Sequence, residues 1–172
     1  MVIWIDGTYG IGKSTVALKI KENLSNANKD FIILESDEVY LNMIKENPIL
    51  AFGGSLPQNN DNFISRFKKA IIENKNKNLI VVMALTQNKC KEDLFECLVN
   101  SKLNIMHFIL TAKEETIKFR INTDENRESR VALEFLEFNQ KFLIDNFKDA
   151  KYINTENKSV EEVAREILSY LW

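Results

Sequence analysis

The chain has 172 residues but only two prolines, five glycines, two cysteines and one histidine. Cys90 and Cys97 are too few for a disulfide framework, and a lone histidine without a neighbouring thiol makes no zinc site. So little glycine and proline excludes collagen-like and low-complexity chains. No apolar run approaches the roughly 20 residues that cross a bilayer; the run at 79–85 is among the longest. No basic segment leads into an apolar one near the start, so no secretory signal is expected and a cytoplasmic location is. Neither sign of charge dominates. Lys and Arg total 23, Asp and Glu 25, and the net charge is −2, which gives no footprint for nucleic acid or a membrane surface. With 45% hydrophobic and 28% charged residues, the chain is expected to fold as one domain over 1–172 with a core of its own.

Arginine is also scarce. There are five, against 18 lysines, 20 asparagines and 19 isoleucines. We read the excess as the base composition of the genome. An arginine retained against that bias marks a place where a planar, five-donor head is needed.

What is present alternates between short β-branched runs and helical periods. Residues 2–5, 31–34, 79–85, 105–110 and 152–153 read as strands. Between them, apolar spacing predicts helices over 13–24, 39–45, 63–71, through Leu94, Leu98 and Val99, from Thr111 through Ile117 and Ile121, and over 131–147. Residues 51–60 read as a loop. Ser159 and Glu162 form a capping box ahead of a final helix with Val160, Val163, Ile167, Leu168 and Leu171 on one face. Continuous apolar strands separated by helices define an α/β fold with a parallel sheet covered on both faces. Ligands of such sheets bind at the carboxyl ends of the strands.

Three of the five glycines fall in Gly7-Thr8-Tyr9-Gly10-Ile11-Gly12-Lys13-Ser14-Thr15. This is G-x-x-x-x-G-K-[ST], placed after a strand and before a helix. Its glycines let successive amides turn inward as a nest for phosphate oxygens, and the helix adds its positive end. Lys13 reaches the outer phosphates, and Ser14 offers a hydroxyl to magnesium.

These residues carry a resemblance. The opening segment 1–14 is similar to that of the tunicamycin-resistance ATP-binding proteins. So are 79–86, 107–120 and 159–164. More broadly the chain resembles small P-loop kinases, among them nucleoside monophosphate kinases, shikimate kinase and chloramphenicol phosphotransferase. The resemblance implies a P-loop NTPase three-layer sandwich with five parallel strands in the order 2-3-1-4-5, ATP with Mg2+, and a mobile lid around 120–130.

Several side chains are candidates for chemistry. Glu35, Ser36 and Asp37 follow the second strand. Asp37 is a candidate to activate an accepting hydroxyl and to help hold magnesium, with Glu35 as its substitute; the alternative is that Asp37 caps a helix starting near Val39. Strand 79–85 ends without the usual Walker-B acid. Asp6 is either an outer-layer acid for magnesium or a brace for loop amides. Arg120, Arg127 and Arg130 lie within eleven residues and suit charge on a transferring phosphoryl group, or else a solvated charged face. In the kinases that the chain resembles, an arginine at the position of Arg120 stacks on adenine or contacts phosphate. Asn154 follows the last strand, where the purine packs in related folds. Phe52, Gly53 and Gly54 either line an acceptor pocket or connect elements. His107 reads as a structural histidine, and Cys90 and Cys97, seven apart, as core. The partners expected are a nucleotide and a small-molecule acceptor, with no nucleic acid and no integral membrane, in a monomer or homodimer. The favoured activity is phosphoryl transfer to a small hydroxylated molecule or antibiotic; the competing one is sequestration of a drug without chemistry.

Overall fold

The burial of β1 (Val2–Asp6) sets the architecture, since all five of its residues are inaccessible to water. Only a strand flanked by other strands and covered on both faces meets that condition. The computed structural model describes residues 1–51, 56–123 and 129–171. Further along the chain come α1 (Lys13–Asn26), β2 (Ile32–Glu35), α2 (Ser36–Glu46), α3 (Asp61–Glu73), β3 (Leu79–Val82), α4 (Asn88–Cys90), α5 (Cys97–Asn100), β4 (Ile105–Thr111), α6 (Glu114–Thr123), α7 (Ser129–Glu134), α8 (Leu136–Asn146), β5 (Lys151–Asn154) and α9 (Val160–Ser169). The strands form one parallel sheet in the order β2-β3-β1-β4-β5. This is the expected α/β sandwich and the expected strand order.

The period of two along β1 divides the core. Ile3 and Ile5 pack with Ile20 of α1 and Ile167 of α9 on one face. Val2 and Trp4 pack with Phe67 of α3, Leu94 and Leu143 of α8 on the other. Register places Ile5 opposite Val82 and Asp6 opposite Ile109. The ends of β1, β3 and β4 therefore lie side by side where the glycine-rich loop begins.

Local structure departs from the sequence pattern in six places. Strand β3 ends at Val82 rather than Leu85, whose amide leaves the ladder and bonds Asp6 instead. Helix α2 begins at Ser36 rather than near Val39, because the last β2 residue, Glu35, already has the extended geometry of a helix N-cap. The stretch read as a loop holds 3-10 turns at Pro48–Ala51 and Pro57–Asn59. Thr111 ends β4 instead of opening α6. The helix read over 131–147 is interrupted at Phe135, which separates α7 from α8. Between α4 and α5 the chain is π-helical, Lys91–Glu96. A π turn takes more residues than an α turn and so rotates the later side chains about the helix axis. Leu94 and Leu98 stay buried, while Val99 and Cys97 turn outward, so the seven-residue spacing does not keep both cysteines in the core. Cys90 is buried, and burial pushes its thiol up to about 12, which leaves it inert at neutral pH.

The capping box forms as expected. Ser159 Oγ accepts from the Glu162 amide, and Glu162 reaches back to the Ser159 N–H at 2.7 Å. The hydrogen bonds from Ser159 hold the Glu162 carboxyl below its usual value of 4.5. Its stabilising effect is therefore complete above about pH 4.5 and is lost as pH falls through the lower folded-state value. Ser159→Ala should cost about 1 kcal/mol at pH 7, with a smaller difference at pH 3, as urea unfolding at the two pH values will show.

Candidate active site

The site starts from a buried carboxylate. Asp6 is fully buried at the end of β1. Its Oδ1 accepts the Gly7 N–H at 2.6 Å and the Leu85 N–H at 3.0 Å, and its Oδ2 lies 3.0 Å from His107 Nε2. Asp6 is thus the brace for loop amides. His107 is its structural partner, set between the Phe95 and Phe147 rings.

From Gly7 the chain turns through three left-handed glycines, Gly7 (φ 140°), Gly10 (φ 75°) and Gly12 (φ 101°). A Cβ at Gly10 would overlap the Ile121 side chain of α6, whereas one at Gly12 would meet nothing within 4 Å. Backbone strain alone demands glycine at 12. Gly12 caps α1 with no side-chain acceptor, and the first amides of a helix have no partner inside it, so they face the cavity as anion donors. Lys13 Nζ spans the loop, donating to Gly7 O (3.0 Å) and Thr8 O (2.9 Å), and sits 5.5 Å from the Tyr9 ring centre.

A cavity of about 230 Å³ opens above this loop. Gly10, Gly12, Lys13, Ser14, Thr15 and Tyr9 line one end. From among them, Ser14 Oγ donates to Glu35 Oε2 at 3.0 Å. Glu35, not Asp37, is therefore the carboxylate against the loop hydroxyl. Asp37 also lines the cavity, but from the first turn of α2, where it is exposed. It does not occupy the cap position considered for it.

Two features have no clear signal in the sequence. Gln58 is buried and paired twice with Thr86: Nε2 donates to Thr86 Oγ1 (3.1 Å), and Oε1 accepts the Thr86 N–H (2.8 Å). A glutamine beside Pro57 was the only local hint. Glu156 accepts from Thr116 Oγ1 (2.7 Å) and the Lys113 N–H (3.0 Å), tying the start of α6 to the loop after β5. Those hydrogen bonds, the hydroxyl's foremost, hold its carboxyl below the usual range.

Arg120 lines the cavity from α6, and its guanidinium donates to Thr155 Oγ1 (2.9 Å) and Thr155 O (3.2 Å). Asn154 does not line the cavity; its Oδ1 accepts the Glu156 N–H. Thr8 and Ile11 are buried, and Thr8 faces a second, more apolar cavity of about 210 Å³. Arg66 pairs with Glu46, and Arg165 with Glu161 at 2.7 Å. Arg127, the side chain of Arg130, and Phe52, Gly53 and Gly54 lie outside the described residues. Among the described residues, no helix is long and apolar enough to cross a membrane, and no three His, Cys, Asp or Glu side chains gather around a metal position.

A glycine-rich loop between β1 and α1, on a parallel sheet of this order, defines a kinase-like P-loop fold, a class that binds nucleotides. The profile of the adenylylsulphate kinase family matches residues 1–104, and the chain belongs to that family. No curated protein matches it. Solved structures share the fold at low identity. A tunicamycin resistance protein from Deinococcus radiodurans superposes with a TM-score of 0.73 at 19% identity, covering 99% of this chain and 94% of that one. A gluconokinase from Sinorhizobium meliloti gives 0.67 at 15%, covering 99% and 90%. An APS kinase from Mycobacterium tuberculosis, in complex with AMPPNP and APS, gives 0.64 at 14%, covering 99% and 96%.

Asp6→Ala would strand two buried amides and leave His107 without its acceptor. A loss of about 3 kcal/mol is expected, read as a lower urea midpoint with an unchanged slope.

Proposed function

We propose that the chain is an ATP-dependent phosphotransferase acting on a small hydroxylated acceptor. The observation that carries this reading is the shared cavity. Loop residues 10–15, Lys13 among them, and Arg120 line it together with the Glu35 and Asp37 carboxylates, Glu35 against Ser14 Oγ. A phosphoryl group passing between two oxygens needs donors for its charge on one side and a proton acceptor on the other.

The nucleotide's phosphates lie on the amides of 10–15, and Lys13 exchanges its bonds to the loop carbonyls for phosphate oxygens. Arg120 stabilises the charge on the transferring group. Asp37 accepts the proton of the attacking hydroxyl. The residues fit magnesium, a cation that prefers oxygen and needs few protein ligands. Ser14 Oγ and Glu35 Oε2, 3.0 Å apart, are oxygen donors facing the cavity. Bound there, the ion would neutralise phosphate charge. Glu35 in this reading takes the place of the acid that 79–85 lacks. ATP is preferred to GTP because the chain resembles ATP-binding proteins and has no N-K-x-D segment. The working form is a cytoplasmic monomer or homodimer.

Binding without transfer is the second reading, and the acid-free end of β3 favours it. The two separate on one variant. Under phosphoryl transfer, Asp37→Asn lowers acceptor-dependent ADP formation by at least about 100-fold while ATP still raises the melting temperature. Under sequestration, the same variant protects cells from the drug as well as the parent does.

Lys13→Ala removes the loop's cation. The thermal shift produced by Mg-ATP should fall to near zero, and an unchanged shift would contradict the loop assignment.

A further inference from the structure

We infer that the second cavity is a binding site in its own right, for a small uncharged molecule of about one ring that carries a hydroxyl. It shares no lining residue with the cavity above the loop, and phosphoryl transfer plays no part in it. The carboxyl ends of β4 and β5 bound it, with Ile117 of α6 and with Leu143 and Ile144 of α8, and Thr8 brings the glycine-rich loop to it. Its volume is about 210 Å³. Apolar cavities of about 150 Å³ stay dry and take up benzene, so a ring with a substituent has room here.

Thr8 separates this space from a simple packing gap. The residue is 3% exposed, and its Oγ1 has no hydrogen-bond partner among the described residues. Buried hydroxyls are bonded as a rule, because leaving one unpaired is costly. Trp4 Nε1, the other such atom among the described residues, is sealed in the core beside the Phe95 ring. Thr8, by contrast, borders a cavity.

The other polar side chains on this wall are engaged. Tyr152 OH donates to Leu143 O (3.0 Å) and Phe147 O (3.1 Å), Thr111 Oγ1 to Ile153 O (3.4 Å), and Gln140 Nε2 to Ala112 O (3.4 Å). A buried water needs two to four polar partners, and here Thr8 is the one that stands unengaged. A ring needs a single hydrogen bond from the protein, since Ile109, Leu110 and Ile117 supply its remaining contacts. An ionised ligand does not suit the site, because one neutral hydroxyl does not replace the water around a charge. Oγ1 is closed to water in its present rotamer. Turning it toward a ligand breaks no hydrogen bond, since it has none to lose.

Phenol and toluene, alike in shape, are the probes, each titrated by NMR into the full chain with labelled methyl groups. Phenol should bind, with its ring protons against the methyls of Ile109, Ile117, Leu143 and Ile144. Thr8→Val keeps the shape of the side chain and removes the hydroxyl. In it phenol should weaken by at least about fivefold and toluene not at all. A parent protein that does not bind phenol overturns the proposal. So does a ring that contacts Val82 and Met83, which line the other cavity, or a Thr8→Val variant that binds phenol as tightly as the parent. The methyl contacts in the parent decide the place even if the variant does not fold. The titration uses no nucleotide, so its failure leaves the phosphotransferase reading standing.

Discussion

The Asp6 carboxylate, shut away from water, connects three strands far apart in sequence. It draws the first amide of the glycine-rich loop, the amide of Leu85 beyond β3 and the ring of His107 in β4 onto two oxygens. A buried charge is costly unless its lone pairs are filled, and here each oxygen is bonded. The same bonds determine where the loop leaves the sheet and where the chain after β3 turns. The next residue, Thr86, orients Gln58. Both ends of the cavity are thus referred to one side chain.

On that frame the site brings charges of both signs to one cavity. At the loop, helix amides, Lys13 and Arg120 make a positive field without needing a large net charge. Glu35 meets that field at Ser14 Oγ, and Asp37 lines the same cavity from the first turn of α2. The segment after β5 supports the positive groups. Thr155 holds Arg120, and Glu156 anchors the start of α6, so the helix carrying that arginine is tied down at both ends.

Much of this was visible in the residues themselves. The glycine-rich loop, the strands other than β3 and the capping box at Ser159 depend on neighbours within a few positions, and they were read within a residue of where they occur; β3 stops at Val82, short of the Leu85 expected. Misreadings came where local pattern gives way to its surroundings. A π segment moved Cys97 out of the core. The start of α2 at Ser36 decided that Glu35 faces Ser14 while Asp37 lines the cavity from the first helical turn. Neither follows from the spacing of the two acids, because a strand and a helix point residues i and i+2 in different directions.

The amino-acid sequence by itself determined the fold class, the loop and the helix that opens from it, since glycine geometry, apolar period and capping are short-range. Only the tertiary structure decided the partnerships of Asp6 with His107, Gln58 with Thr86, and Arg120 with Thr155. They join residues 101, 28 and 35 positions apart, and such contacts exist only once the parallel sheet has brought the ends of its strands to one edge.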